Sequence, residues 1–410
     1  MQEYIVGLDI GSYAVKAAVG ELKKGGKLTL RHLIKAPSMG IRKGMVDDLT
    51  EAAQSLHGVL AEVKQVSKLA LKNIYLGVGG PDTKIQSSTG VVAVSRSDYE
   101  IFQDDVNRVI QSAQAVNLPP NRMVLHFAVK EFIVDGVKDI HDPLGMTGNR
   151  LEAQSIIIDG FAPAIKNLTK CVEMLGGGIS GLILTPLASA RAVLSKQQKD
   201  LGVALIDIGF GKTSISVYEE NRLVHVAVFP VGSGNVTNDL AIGLKTGVET
   251  AESIKLAFGS AIAREVGMRE SVDLQKLNPK FKGVVSKKFI VDIIEVRLAE
   301  IFEMVQNELK AIGRAGRLPG GVVLVGGGAK MPGVVELAKQ ELKLAAQVGV
   351  GDTRAIEVPP AAEVMEQIED PEFSGALGLL LWGYDQTASG HKVSISLRMK
   401  FRNIFRHFLP

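Results

Sequence analysis

YIVGLDIGSYAVKAAVG (4–20) and GVALIDIGFGKTSISVYEE (202–220) carry one pattern twice. In each, an apolar run ends in Asp-x-Gly and a second, alternating run follows. That order predicts a β-hairpin closed by a glycine turn. Two such units, so far apart in the chain, point to a duplicated domain rather than a short-period repeat. Around them strands and helices alternate, so the fold class is α/β.

Working outward from the first hairpin, 49–64 reads as a helix and 73–80 as a strand ending in glycines. From 84 the texture changes: a strand (90–95), a helix (99–116), a Pro-Pro break and a β-rich stretch (123–136) lead into LEAQSIIIDGF (151–161). This is the pattern of a small α+β insertion, after which helix 164–175 and strand 179–184 return the chain to the first half. Beyond the second hairpin, 232–259 and 287–313 carry helical patterns, with a weakly patterned basic stretch at 264–288 between them. GVVLVGGGAKMPGVVELAKQEL (321–342) is a strand, a glycine turn and a helix, and apolar 373–383 reads as a buried helix. A polar linker, DQTASGHK (385–392), precedes a basic terminal segment.

A chain of 410 residues exceeds one ordinary core. Its 47 Lys+Arg against 44 Asp+Glu give a net charge of +3, no argument for wholesale nucleic-acid binding. The single cysteine, Cys171, excludes an internal disulfide framework and suits a reducing cytoplasm. No signal peptide is evident at MQEYIVGLDIG (1–11), and no apolar run is long enough to span a bilayer. The expectation is a cytosolic or peripheral protein.

A nucleoside triphosphate requires main-chain N–H groups at its phosphates, a cation, and acidic groups that orient the cation's waters. Both hairpins offer these. Gly11 and Ser12 in the first, and Gly209 and Gly211 in the second, admit close approach of a phosphate. Asp9 and Asp207, at strand ends, can face a hydrated Mg2+; Lys16 can reach the terminal phosphates. Gly326, Gly327 and Gly328 let a flat base or ribose lie against main chain. Each turn taken singly can equally be a tight turn without a ligand, and Glu252 with Lys255, spaced i,i+3, can be an ordinary surface ion pair.

Two look-alikes are set aside. GKTS (211–214) imitates a P-loop end, but Ile206 stands where that loop needs glycine, and a strand follows. Gly176, Gly178 and Gly181 match GxGxxG but follow a helix and precede a strand, the reverse of a dinucleotide fingerprint. The seven scattered histidines offer no zinc site, and no G-x-S-x-G elbow supports a nucleophilic hydrolase.

Together GLDIGSYAVK (7–16), TPLASA (185–190), ALIDIGFGKTSI (204–215) and VVLVGGGAKMPG (322–333) resemble the actin, heat-shock chaperone and sugar-kinase ATPase superfamily. There they are the first phosphate loop, first connecting helix, second phosphate loop and adenosine loop; GALGLLLWG (375–383) is similar to the second connecting helix. Within the superfamily the likeness is greatest to the FtsA family, through the insertion, the length and the terminal basic helix. The resemblance implies an actin-like duplicated fold with a nucleotide cleft between its halves. It implies ATP with Mg2+ at the residues above together with Lys212 and Thr213, and ribose contacts from Glu252 and Lys255. The expected divisions are 1–83 with 164–199 and 374–386 for the first core subdomain, and 84–163 for its insertion. The second core subdomain is 200–239 with 314–373, its insertion 240–313, and 387–410 are linker and terminal helix. Phe210 and Lys212 depart from the superfamily's usual glycine and threonine, and Thr185 stands where hydrolysing filament relatives carry a carboxylate. The implied ATPase is slow or negligible.

In LRMKFRNIFRHFL (397–409), helical spacing gathers Leu397, Phe401, Ile404, Phe405, Phe408 and Leu409 on one side. Lys400, Arg402, Asn403, Arg406 and His407 take the other, Arg398 lies at the boundary, and Met399 projects among the polar residues. Such a helix suits an anionic membrane surface, its own core or a partner's groove. The resemblance favours the membrane, and implies a peripheral protein on the cytoplasmic face of the inner membrane at the division septum. It implies self-association into protofilaments, recruitment of other division proteins, and binding of the FtsZ C-terminal peptide, with Arg297, Lys287 and Lys288 the matching basic candidates. A PilM-type pilus-assembly ATPase and a small-molecule kinase are the alternatives. The terminal helix argues against the first, and the lack of an acidic base for a hydroxyl substrate against the second.

Overall fold

The computed structural model describes residues 3–23, 25–276, 284–359 and 362–388. The terminal helix read over 397–409, with all its membrane-facing residues, lies outside the described residues.

Both quoted segments are hairpins: Glu3–Ile10 pairs with Ala14–Leu22, and Val203–Ile208 with Thr213–Glu219, each antiparallel. Each sits in the middle of its own sheet. In the first, the order is Ile179–Leu184, Ile74–Val78, Glu3–Ile10, Ala14–Leu22, Leu28–Pro37 and Ile356–Glu357. In the second it is Ala346–Val348, Val322–Val325, Val203–Ile208, Thr213–Glu219 and Arg222–Phe229. Taken in these directions the first five strands of each sheet correspond, parallel and antiparallel pairings included. The central strands are buried on both faces, which is why they read as continuous apolar runs instead of alternating ones.

The helix read over 49–64 spans Leu49–Val66. Asp48 caps it by accepting from the Thr50 and Glu51 amides, and Ala52, Leu56, Val59, Leu60 and Val63 form the buried stripe. Two further helices, Thr185–Val193 and Ser374–Ala388, pass between the sheets. They cross where only glycine fits: a Cβ on Gly378 would lie 1.8 Å from the Ala188 carbonyl oxygen. Gly7, beneath the second helix, is equally constrained, 2.1 Å from the Ala376 oxygen.

Strands Lys84–Ala93, Arg150–Phe161, Arg122–Val134 and Val137–Ile140 form a separate four-stranded sheet covered by helix Gln103–Gln114. Its cores are small ones of its own, built on Val109, Phe132 and Leu151 and on Ala113, Phe127 and Ile157. Arg122, ion-paired with buried Asp159 inside this unit, ties it to the first half by donating to the Asp82 carbonyl at 2.8 Å, and the Asp82 carboxylate accepts from the Phe161 amide at 2.5 Å. Arg222, on the second sheet's edge, donates to the Lys130 carbonyl of this unit.

In the second half the patterns 232–259 and 287–313 resolve into helices Ser233–Gly243, Val248–Phe258 and Lys287–Ala311. The weakly patterned stretch carries a short ribbon, Ser271–Asp273 with Val284–Ser286. Both look-alikes are as read: a strand follows GKTS, and Gly176, at φ 83°, ends helix Ala162–Met174. Among the described residues no helix is long and apolar enough to cross a membrane.

Candidate functional site

The tips of the two hairpins face each other across a cavity of about 390 Å³. Glycine lets the loops come together: a Cβ on Gly211 would sit 2.9 Å from the Ser12 hydroxyl and 3.1 Å from the Lys43 amide nitrogen. Gly11, Ser12, Gly209 and Gly211 all line the cavity. So do the first residues of three helices, Thr185, Ser374 with Gly375, and Ser233. Helix N-termini present unpaired N–H groups and a positive dipole end, a favourable setting for anions.

Asp9 and Asp207 lie one residue before their strand ends and project into this space. Lys16, opposite Asp9 in the hairpin register, places its ammonium 3.3 Å from the Asp9 carboxylate and donates to the Glu372 main-chain oxygen at 2.9 Å. Burial would lower the Lys16 ammonium, but Asp9, Asp207 and Glu372 outweigh it and raise it. Asp207 is pushed up by burial and then by the Asp9 charge, against the pull of Lys16 and Lys212. Lys212 reaches from the second half to donate to the Gly79 carbonyl in the first; burial lowers its ammonium despite Asp9, Asp207 and Asp82. Two carboxylates and two ammonium groups therefore share one half-buried space.

The other end of the cavity is built on Gly326, Gly327 and Gly328. Gly326 has φ 82°, and a Cβ there would meet the Asp207 carboxylate at 2.4 Å. On Gly328 it would meet Ile208 at 2.3 Å, whereas Gly327 has nothing nearer than 3.5 Å. Leu256, Met331 and Pro332 complete an apolar wall beside this flat main chain. Glu252 and Lys255 close the side. Lys255, only 5% exposed, lies 2.7 Å from Glu252 and donates to the Thr237 hydroxyl at 2.9 Å and the Ser233 carbonyl at 3.3 Å. The pair is a wall of the cavity, not a solvated ion pair.

Thr213 is the exception among the nucleotide-site candidates. Residues alternate along a strand, so Thr213 shares the face of Ile208 while Ser214, opposite Asp207, takes the cavity face. Thr213 is fully buried with its hydroxyl unpartnered, and Ser214 is the lining residue. Several other lining residues escaped the sequence reading. Glu372 is held by Lys35 from the first half and by Lys330, 3.3 Å away, from the glycine turn of the second. Burial would raise its carboxyl, but Lys35, Lys330 and Lys16 keep it low. Tyr13 and Phe210, one from each hairpin tip, stand at the same wall. Nothing local marks Glu372, Lys35 or Lys330 in sequence; Phe210, between Gly209 and Gly211, stands out there as a departure in the second loop, and Tyr13 follows the Gly11–Ser12 turn.

Among the described residues no three acidic, His or Cys side chains converge as a metal cage. A divalent cation at Asp9 and Asp207 would be held mainly by phosphate oxygens and water, as Mg2+ prefers. The basic candidates of the second-half insertion do not line the cavity, and two of them are engaged. Arg297 grips Asp239 at 2.5 and 3.1 Å and Glu300 at 2.6 Å, and Lys287 is 2.9 Å from Glu270. Lys288, next to Lys287 in the first turn of helix Lys287–Ala311, is half-buried.

A family profile described as cell division protein FtsA matches residues 204–378, and one described as the SHS2 domain inserted in FtsA matches 80–159. A cell division protein FtsA of Pseudomonas aeruginosa is 34% identical over 393 residues, 96% of this chain and 92% of that protein. That of Bacillus subtilis is 37% identical over 378 residues, 92% of this chain and 83% of its own length. The chain belongs to the FtsA family. Its role is therefore in bacterial cell division. Among solved structures, a chain of the PilM-PilN type IV pilus biogenesis complex superposes with TM-score 0.65 at 18% identity, covering 93% of this chain and 98% of that one. MreB5 of Spiroplasma citri bound to ADP gives 0.55 at 12% identity, covering 95% and 99%. The fold is thus the actin-like one, with the SHS2 domain inserted in the first half of this FtsA-family chain.

Proposed function

We propose that the chain binds Mg-ATP between its hairpins, self-associates head to tail, and links the FtsZ ring to the cytoplasmic face of the inner membrane at the septum through its terminal helix, recruiting other division proteins. The observation that carries this reading is the half-buried space shared by Asp9, Asp207, Lys16 and Lys212 beneath facing glycine turns. Two carboxylates can orient a hydrated Mg2+, two ammonium groups can meet phosphate oxygens, and the apolar wall at Gly326–Gly328 can take a base. Asp9 and Asp207 would hold the waters of a bound Mg2+, which would supply positive charge against the phosphates. The residues present fit that group.

The same walls argue for ATP as a conformational ligand. Of the carboxylates lining the cavity, Glu252 is bound by Lys255 and Glu372 by two lysines, and Asp9 and Asp207 face the cation position. Thr185 is 7% exposed, and its hydroxyl donates to the Val78 carbonyl at 3.2 Å. None of these is a free base for an attacking water. ATP hydrolysis is accordingly slow, and nucleotide acts by closing the cleft and favouring the polymer.

The membrane arm rests on the amphipathic pattern of 397–409, whose basic residues would each contribute on the order of 1 kcal/mol near an anionic surface. The FtsZ arm rests on family membership. A peptide carboxylate at Arg297 would have to displace Asp239 and Glu300, so that position acts only by exchange of partners. Pelleting with anionic liposomes tests the proposal: the intact chain should co-sediment, more so with Mg-ATP, and a chain lacking 387–410 should stay in solution. Equal sedimentation of the truncated chain would remove the membrane arm; no effect of Mg-ATP would remove the coupling of nucleotide to assembly.

A further inference from the structure

Tyr13 and Phe210 meet across the cleft. Their ring centroids are 5.2 Å apart with planes tilted by 39°, a favourable aromatic geometry. Tyr13 comes from the tip of the first hairpin and Phe210 from the tip of the second, so the contact joins the two halves directly at the phosphate end of the cavity. The two partners are held very differently. The Phe210 ring is packed against the first turn of helix Ser233–Gly243, where a Cβ on Gly234 would come within 2.8 Å of it. Its own carbonyl accepts from the Gly234 amide at 2.8 Å, and the Lys255 ammonium lies 5.4 Å from the ring centre. Tyr13 is tied through main chain, its carbonyl accepting from the Ser38 amide at 3.0 Å, and the residue is 45% exposed.

We propose that Tyr13 and Phe210 form an aromatic clasp that holds the cleft closed and so slows both entry and exit of nucleotide; this rests on the nucleotide-binding reading above. Ser12 and Gly211 bring the same two tips together on one side, and the ring pair closes them on the other. Rotating the halves apart must break the ring contact, because each ring moves with its own sheet. A half-exposed tyrosine has no core to fill, so its removal acts on the open–closed balance rather than on the fold.

Loss of an aromatic pair shifts such a balance by roughly two- to tenfold. The clasp holds the empty and the loaded cleft alike, both mainly closed, and nucleotide deepens that closure rather than starting it. A closed cleft neither admits nor releases nucleotide, so loss of the clasp raises both rates together and leaves affinity nearly constant. The test is stopped-flow binding of a fluorescent N-methylanthraniloyl ATP, with Mg2+, to the full-length chain. Tyr13→Ala should speed association and dissociation by about two- to tenfold each, with Kd changed less than either rate. Tyr13→Phe, which keeps the ring, should behave as wild type. Adding Phe210→Leu to Tyr13→Ala should bring no further change. Should Phe210→Leu fail to fold, the Ala and Phe variants at 13 decide alone. Faster dissociation with unchanged association would make Tyr13 a ligand contact and overturn the clasp, as would unchanged rates. If the wild-type chain binds no nucleotide, the clasp and the reading beneath it both fall; if it binds and the variants match it, only the clasp falls.

Discussion

The two hairpins share a backbone plan but deliver their charges differently. In the first, the turn Gly11–Ser12–Tyr13 leaves the lysine to the strand, where Lys16 faces Asp9. In the second, the lysine stands in the turn itself, and Ser214 faces Asp207. Lys16 therefore neutralises its own hairpin's carboxylate, whereas Lys212 crosses the cleft to a carbonyl of the other half. Duplication of a fold has repeated the carboxylates and the glycines without repeating the cations. The first hairpin pairs its carboxylate with its own lysine; the second sends its lysine to the neighbouring half.

That asymmetry can be broken residue by residue. The largest effect is expected from Lys16→Ala, which leaves Asp9 and Asp207 together without their main counter-charge; urea unfolding should show a loss of about 3 kcal/mol. Lys212→Ala removes a donor from a neutral carbonyl and should cost only about 1 kcal/mol in the same measurement. Equal losses in the two variants would contradict the asymmetry.

Between these lies an acid sensitivity confined to the first half. His126, on the inserted sheet, accepts from the Leu184 amide at 2.9 Å, one residue before Thr185, and its ring meets Trp382 edge-on. Burial lowers its pKa from 6.5 to about 4. The folded state thus holds a neutral imidazole that the unfolded chain protonates. This contribution is complete above pH 6.5 and is lost as pH falls from there towards about 4, at about 1.4 kcal/mol per pH unit. By pH 5 the loss reaches about 2 kcal/mol, and His126→Gln, which keeps an acceptor, should flatten the dependence by about one proton. An unchanged slope would mean that the imidazole is not the group responding. The smallest effect is expected at Thr213→Val. Its buried hydroxyl has no partner, so stability should hold or rise within about 1 kcal/mol and nucleotide affinity should not move. A weakened affinity would put Thr213 back in the site.

How far the sequence carried the fold and the site follows from where the determinants sit. The hairpins, Asp9, Asp207 and the Gly326–Gly328 turn were legible because strand alternation and turn glycines are local, and each lies within a few residues of its signal. The helix 373–383 was legible as buried, but not that Glu372, just before it, would meet Lys35 and Lys330 at the cavity rim; residues so distant in sequence are brought together only by the fold. Thr213 was placed in the site through the family likeness, although period-two alternation from Asp207 and its partner Ser214 puts it on the opposite face. Arg297 read as an available cation because Asp239, its partner, lies on another helix.

The central claim is that both hairpins grip one nucleotide. Calorimetric titration of the full-length chain with ATP in the presence of Mg2+ tests it most directly, comparing wild type with Lys16→Ala and Lys212→Ala. One site per chain is expected, with each variant weakened on the order of a hundredfold, the loss of one charge-assisted contact to phosphate. A wild-type chain that gives no binding, or a variant of either hairpin that binds as tightly as wild type, would contradict it.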